Sequence, residues 1–127
     1  MKVYVFDIDP VSKPRMTQRD VWKKRPAINK YYAFKDLLKL QANKFGLKTL
    51  PGSIESLIFV IPMSKSWSEI KKIKYDETPH LYKPDLDNLL KAVQDCLCTE
   101  DSHIWDIRGL RKTWGREGKI LITINDT

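Results

Sequence analysis

Lys83-Pro84-Asp85-Leu86-Asp87-Asn88-Leu89-Leu90-Lys91-Ala92-Val93-Gln94-Asp95-Cys96-Leu97 is the stretch on which the fold turns. Leu86, Leu89, Leu90, Val93 and Leu97 recur at i, i+3, i+4, i+7 and i+11, one apolar face of a helix. Asp87, Lys91 and Asp95 recur every fourth residue on the polar side, the spacing of an ion-pair ladder. Pro84 suits a helix entry. A helix apolar on one side only must cover another layer, and the flanking sequence supplies a sheet for it.

Upstream, the Pro51-Gly52 turn precedes Ile54, Leu57, Ile58, Phe59, Val60 and Ile61, a buried strand over residues 54–63. Ser66-x-x-Glu69 has capping-box spacing and predicts a short helix through Ile70, Ile73 and Tyr75. Downstream, residues 104–112 and 119–124 read as two strands joined by a turn at 115–118. Near the N-terminus, residues 3–8 form a short strand that Pro10 ends. Residues 29–45 have a helical period through Tyr32, Phe34, Leu37, Leu38, Leu40, Ala42 and Phe45, with Gly46 as the stop. The expected architecture is one α+β domain over residues 1–127, a mixed β-sheet with packed helices.

Composition narrows the function. The 42% apolar fraction is that of a folded globule, and no apolar run approaches the ~20 residues that cross a bilayer. The N-terminus reaches Asp7 too soon for a signal peptide, so a soluble, cytoplasmic protein is expected. Cys96 and Cys98 are too close in sequence for an unstrained disulfide and too few for a structural zinc, so both read as reduced packing residues.

Charge is segregated within a net +7. Residues 10–48 hold eleven Lys or Arg against Asp20 and Asp36, whereas residues 76–106 hold eight of the sixteen carboxylates. Carboxylates repel phosphate unless a divalent cation stands between them, so a basic arm beside an acidic centre suggests phosphodiester chemistry. Residues 10–27 carry Pro10, Pro14 and Pro26 among the basic side chains and predict an extended loop. Its Lys13, Arg15, Arg19, Lys24 and Arg25 are the expected phosphate contacts, with His80 and Lys83 as further DNA-binding candidates.

Asp85 and Asp87 at a helix start admit two readings. Both can serve the helix N-terminus as caps, and Asp95 can pair with Lys91; or the two aspartates can hold a metal. Glu100-Asp101 adds carboxylates where the chain turns from helix to strand. A helix of about 13 residues rises ~20 Å, so a return strand must run back along it to bring Asp106 toward Asp85. Asp101 approaches the helix start only if the turn folds across.

The run Lys-Pro-Asp-Leu-Asp-Asn-Leu-x-Lys-x-x-x-Asp-x-Leu, followed by an acidic pair, a small residue, a polar residue and Ile104, resembles the signature of RusA-like crossover junction endodeoxyribonucleases. Ser12-Lys13-Pro14-Arg15-Met16-Thr17, Trp22-Lys23-Lys24-Arg25-Pro26 and Pro79-His80 are similar to the phage-type branch of that family. The likeness runs from residue 10 to about residue 114. Two departures stand out: Glu100 replaces a frequent Asp, and Cys98-Thr99 replaces a frequent glycine-containing turn.

The resemblance implies a RusA-like fold, with Asp85, Asp87 and Asp101 as catalytic metal ligands and Lys91 as the catalytic lysine. It implies Mg²⁺ as cofactor, with Mn²⁺ able to substitute, and a homodimer acting on branched DNA without a membrane partner. The implied reaction is resolution of Holliday (four-way) junctions in DNA recombination and repair, often from phage or prophage genes. The alternatives are a non-catalytic basic DNA-binding or regulatory protein and a nuclease acting on other branched DNA.

Overall fold

The computed structural model describes residues 1–15, 26–98 and 100–125, with Asp101 described in its backbone only. The elements in order are β1 (Lys2–Phe6), α1 (Pro26–Lys44), β2 (Ser53–Pro62), α2 (Glu69–Tyr75), α3 (Leu86–Leu97), a 3-10 turn (Asp101–His103), β3 (Asp106–Gly115) and β4 (Lys119–Ile124). The four strands form one mixed sheet in the order β1-β4-β2-β3. β4 is antiparallel to both β1 and β2, while β2 and β3 run parallel from Ser53↔Asp106 to Pro62↔Gly115. A parallel pair needs a crossover, and the chain between β2 and β3 carries α2 and α3. The result is the expected α+β arrangement.

The core is shared by both long helices and the sheet. α1 contributes Tyr31, Phe34, Leu38 and Ala42, and α3 contributes Leu89, Ala92, Val93 and Leu97. They pack with Phe6, Ile54, Leu57, Phe59, Ile120 and Ile122. Each such leucine or valine contributes about 1.5–3 kcal/mol through burial. The α3 stripe is therefore the one its spacing predicts.

Helix α1 buries Phe34, Leu38 and Ala42 of the expected stripe but not the rest of it. Tyr32, Leu37 and Leu40 are exposed, and Ile28, Tyr31, Phe34, Leu38 and Ala42 face inward. The apolar residues of α1 spread around the helix, so local period alone offered two faces; Tyr31 settles the choice by donating its hydroxyl to Asp95 of α3. The helix also begins earlier than expected, with Pro26 in its first turn, a position where the missing N–H costs nothing. The cap of α2 is Ser68, whose hydroxyl accepts from the Lys71 N–H, and not Ser66, whose hydroxyl bonds that of Ser64.

The direction of α3 is fixed at both ends. Lys112, on β3, donates its Nζ to the Pro84 carbonyl at 2.8 Å and to that of Tyr82. At the opposite end the Leu50 N–H donates to the Leu97 carbonyl at 3.0 Å, and the Trp105 N–H to that of Gly52 at 2.9 Å. Helix α3 thus runs antiparallel to β3, its start beside Lys112 and its end beside the beginning of β3.

Candidate metal and nucleic-acid site

Asp85 is the residue immediately before α3, extended at φ −71° and ψ 144°, and its carboxylate makes no capping hydrogen bond. Asp87 stands in the first turn, its side chain 70% exposed. The capping reading gave Asp85 a local hydrogen bond that it does not make. Two carboxylate side chains two residues apart, both exposed, sit where helix N–H groups and the helix dipole favour negative charge. The Lys91 Nζ lies 3.9 Å from Asp87 Oδ2, a loose pair between exposed groups that can part without much cost.

The basic arm meets this helix start directly. The Lys13 N–H donates to the Asn88 carbonyl at 3.0 Å, tying the loop to the first turn of α3. Lys13, Pro14, Arg15, Asn88 and Lys91 line a groove of about 570 Å³. Three cations therefore face one groove beside the aspartate pair. Arg19, Lys24 and Arg25 lie outside the described residues. Lys83 is exposed on the loop before Asp85.

Asp101 is placed differently. Its backbone opens the 3-10 turn beyond the far end of α3, and a helix of 12 residues is ~18 Å long. Within one chain, the Asp85–Asp87 pair and Asp101 stand at opposite ends of α3. The strand does return along the helix, as expected, but it is Lys112 rather than Asp106 that arrives beside the helix start. Asp106 accepts from Ser53 Oγ at 2.9 Å and Arg108 Nε at 3.3 Å and is half-buried, not a solvated surface group. Among the described residues, no three of His, Cys, Asp and Glu come close enough to hold a metal.

Asp95 does not pair with Lys91. Its Oδ2 accepts from Lys35 Nζ at 2.8 Å and from the Tyr31 hydroxyl, and Lys13 Nζ lies 3.7 Å from Oδ1. Burial alone would raise the Asp95 pKa, but the Lys35 and Tyr31 bonds outweigh it and hold the carboxyl below its usual range. This network joins α1, α3 and the basic arm. Beside it, burial pushes the Cys96 thiol up to about 11, and its Sγ lies 3.3 Å from the Lys35 carbonyl, so it is a reduced packing residue, as expected.

His80 is corrected as a DNA contact. It is 3% exposed, its N–H donates to the Lys112 carbonyl, and its ring lies 4.4 Å from that of Trp114. Burial, and then the nearby Lys112 charge, hold the imidazole below its ordinary range. The folded state thus favours neutral His80, so its stability contribution is full above the unfolded value of about 6.5 and is lost as pH falls below it. Urea unfolding of His80→Gln should show a shallower loss of stability between about pH 6.5 and 5 than the wild type. Identical slopes would show that His80 does not titrate with folding.

Lys112 was not singled out from sequence. Its signal was strand parity: it shares one side of β3 with Leu110, a residue packed against the core, so a lysine there needs carbonyl partners. By holding Tyr82 and Pro84 it positions Asp85.

A groove lined by Lys13, Arg15 and Lys91 and an exposed carboxylate pair thus share the start of α3 on a small α+β domain. The chain matches the family described as Endodeoxyribonuclease RusA over residues 7–125. No curated protein matched the chain. The chain belongs to the RusA endodeoxyribonuclease family, and is accordingly a nuclease. No described helix is long and apolar enough to cross a membrane.

Proposed function

We propose that this nuclease resolves four-way DNA junctions by divalent-metal-dependent phosphodiester hydrolysis, in recombination and repair in the cytoplasm. The observation that carries the reading is the exposed Asp85–Asp87 pair beside the Lys13–Arg15–Lys91 groove. The donor set fits Mg²⁺, or Mn²⁺ in its place: hard carboxylate oxygens, too few to enclose the ion, leaving its remaining positions to water and phosphate. When bound there, the ion supplies charge neutralisation at the scissile phosphate and a more acidic water.

The chain's own residues do the rest. Lys13, Arg15 and the basic loop draw the strand into the groove. Lys91 leaves its loose pairing with Asp87 and places its ammonium against the charge that develops on the phosphate or leaving oxygen. Lys112 keeps the Tyr82–Asp85 loop from drifting, which preserves the carboxylate positions.

Asp101 belongs to the same reading only through pairing of copies. A four-way junction has two-fold symmetry, and a homodimer matches it with two sites. With the ends of α3 some 18 Å apart, the Asp101 that completes one site comes from the second copy.

Synthetic four-way junction, fork and linear duplex, each incubated with Mg²⁺ and with chelator, test the proposal. Paired symmetric cuts in the junction, in Mg²⁺ alone, are expected. Preferential cutting of forks would move the substrate to another branched DNA. Binding without cutting in any metal would leave only a basic DNA-binding protein.

A further inference from the structure

Beside the Asp85 loop lies an aromatic opening that neither the core nor the metal reading uses. Trp67, Tyr75, Tyr82 and Trp114, with Lys71 at the rim, line about 270 Å³. The Trp67 and Trp114 rings are 4.8 Å apart and tilted 50°, and Tyr82 stands 6.3 Å from Trp114. Were these rings only a satellite core, they would be covered. Instead Tyr82 is 70% exposed, Leu81 beside it is 82% exposed, and α2 buries none of its residues.

We propose that this opening receives one unpaired nucleobase of the strand whose phosphate lies at Asp85 and Asp87. The inference rests on the nuclease reading above and adds the means by which a branched substrate is told from a continuous duplex. Four rings offer π-faces to any base, which is how single-stranded nucleic acid is held without sequence readout. The volume is at the small end for a ligand site, suited to one planar base and not to a pair. The Lys71 ammonium, 3.9 Å from the Trp67 ring centroid, can swing from that ring to the flanking phosphate when a base takes its place.

Placement supports the assignment. Tyr82 lies just ahead of Asp85 in the chain, and Lys112 holds the carbonyls of both Tyr82 and Pro84, so the opening and the acidic pair keep a fixed spacing. His80 backs the same rings, 4.4 Å from Trp114 and 6.0 Å from Tyr82, with a buried Nδ1 that has no hydrogen-bond partner among the described residues. In a continuous duplex every base is stacked and paired, and drawing one out is costly; where strands exchange, bases are held least. The opening thus favours DNA with a branch.

The test uses the full chain. A junction carrying 5-iododeoxyuridine at the branch point is bound to the Asp85→Asn protein and irradiated, with the same label in an arm as control. Crosslinks to Tyr82, Trp67 or Trp114 from the branch-point label alone are expected. Tyr82→Ala and Trp67→Leu should each reduce the preference for junction over linear duplex by about 5- to 100-fold. Since Tyr82 is largely exposed, its replacement leaves the fold in place even if Trp67→Leu does not. Wild-type preference in Tyr82→Ala, or equal crosslinking from the arm, overturns the proposal while the nuclease reading stands. Dissociation of Tyr82→Ala into monomers would assign the opening to a second copy of the chain and overturn it too. Failure of the wild type to bind or cut any branched DNA would remove both.

Discussion

Asp85→Asn is expected to abolish cleavage while the protein still folds and still binds junctions. Asparagine is as good a residue as aspartate at a helix N-cap, so α3 keeps its start. The basic groove is untouched, and with it the electrostatic part of DNA affinity. What is lost is one of the three carboxylates proposed for the site, and one of the two that this copy contributes. Removing several kcal/mol of charge stabilisation at the phosphate lowers the rate by about 10³-fold or more. Gel-shift titration and single-turnover cleavage on the same junction separate the two effects. Cleavage within tenfold of the wild type would take Asp85 out of the site.

The second large effect concerns Asp101. Asp85→Asn and Asp101→Asn should each be inactive alone, yet co-expressed together they should regain nicking. In a mixed dimer one site combines intact Asp85 and Asp87 from one copy with intact Asp101 from the other. With half the dimers mixed and one site working in each, nicking should return to about a quarter of the wild-type rate. The mixed dimer makes single nicks, so nicked junction accumulates instead of two resolved duplexes. No recovery in the mixture would mean that Asp101 serves its own chain, through a turn folded differently from the one described, or does not serve at all.

These two expectations divide along what sequence can show. The stripe of Leu86, Leu89, Val93 and Leu97 and the place of Asp85 and Asp87 at its start are local matters of period and capping, and they were legible. So were the four strands, three of them rich in β-branched residues and β3 marked chiefly by the turn that follows it. The relation of Asp101 to the pair was not, because it depends on which end of α3 the return strand reaches, a tertiary outcome. Asp95 illustrates the same limit: its local partner was Lys91, but Tyr31 and Lys35 of α1 outcompete it from far away in the chain. His80 was expected among the DNA-binding side chains and is instead buried against Trp114, since burial of a loop side chain has no period to announce it. Lys112 left a trace in strand parity, though the carbonyls it holds could not be foreseen.

The role proposed for the acidic pair would also account for an apparent waste in the structure. An N-cap aspartate whose carboxylate makes no cap hydrogen bond forgoes about 1 kcal/mol that the position could contribute. Proteins give up such stabilisation where a group is kept for a ligand, and the neighbouring cations indicate which kind.

Everything depends on whether the carboxylates of Asp85 and Asp87 hold a divalent ion. Mn²⁺ titrated into ¹⁵N-labelled protein answers this without DNA or activity, because a bound paramagnetic ion broadens the amide signals nearest to it. Broadening centred on residues 84–88, lost in the Asp85→Asn, Asp87→Asn double variant, is the predicted result. Broadening centred elsewhere, or unchanged in the double variant, would contradict the account.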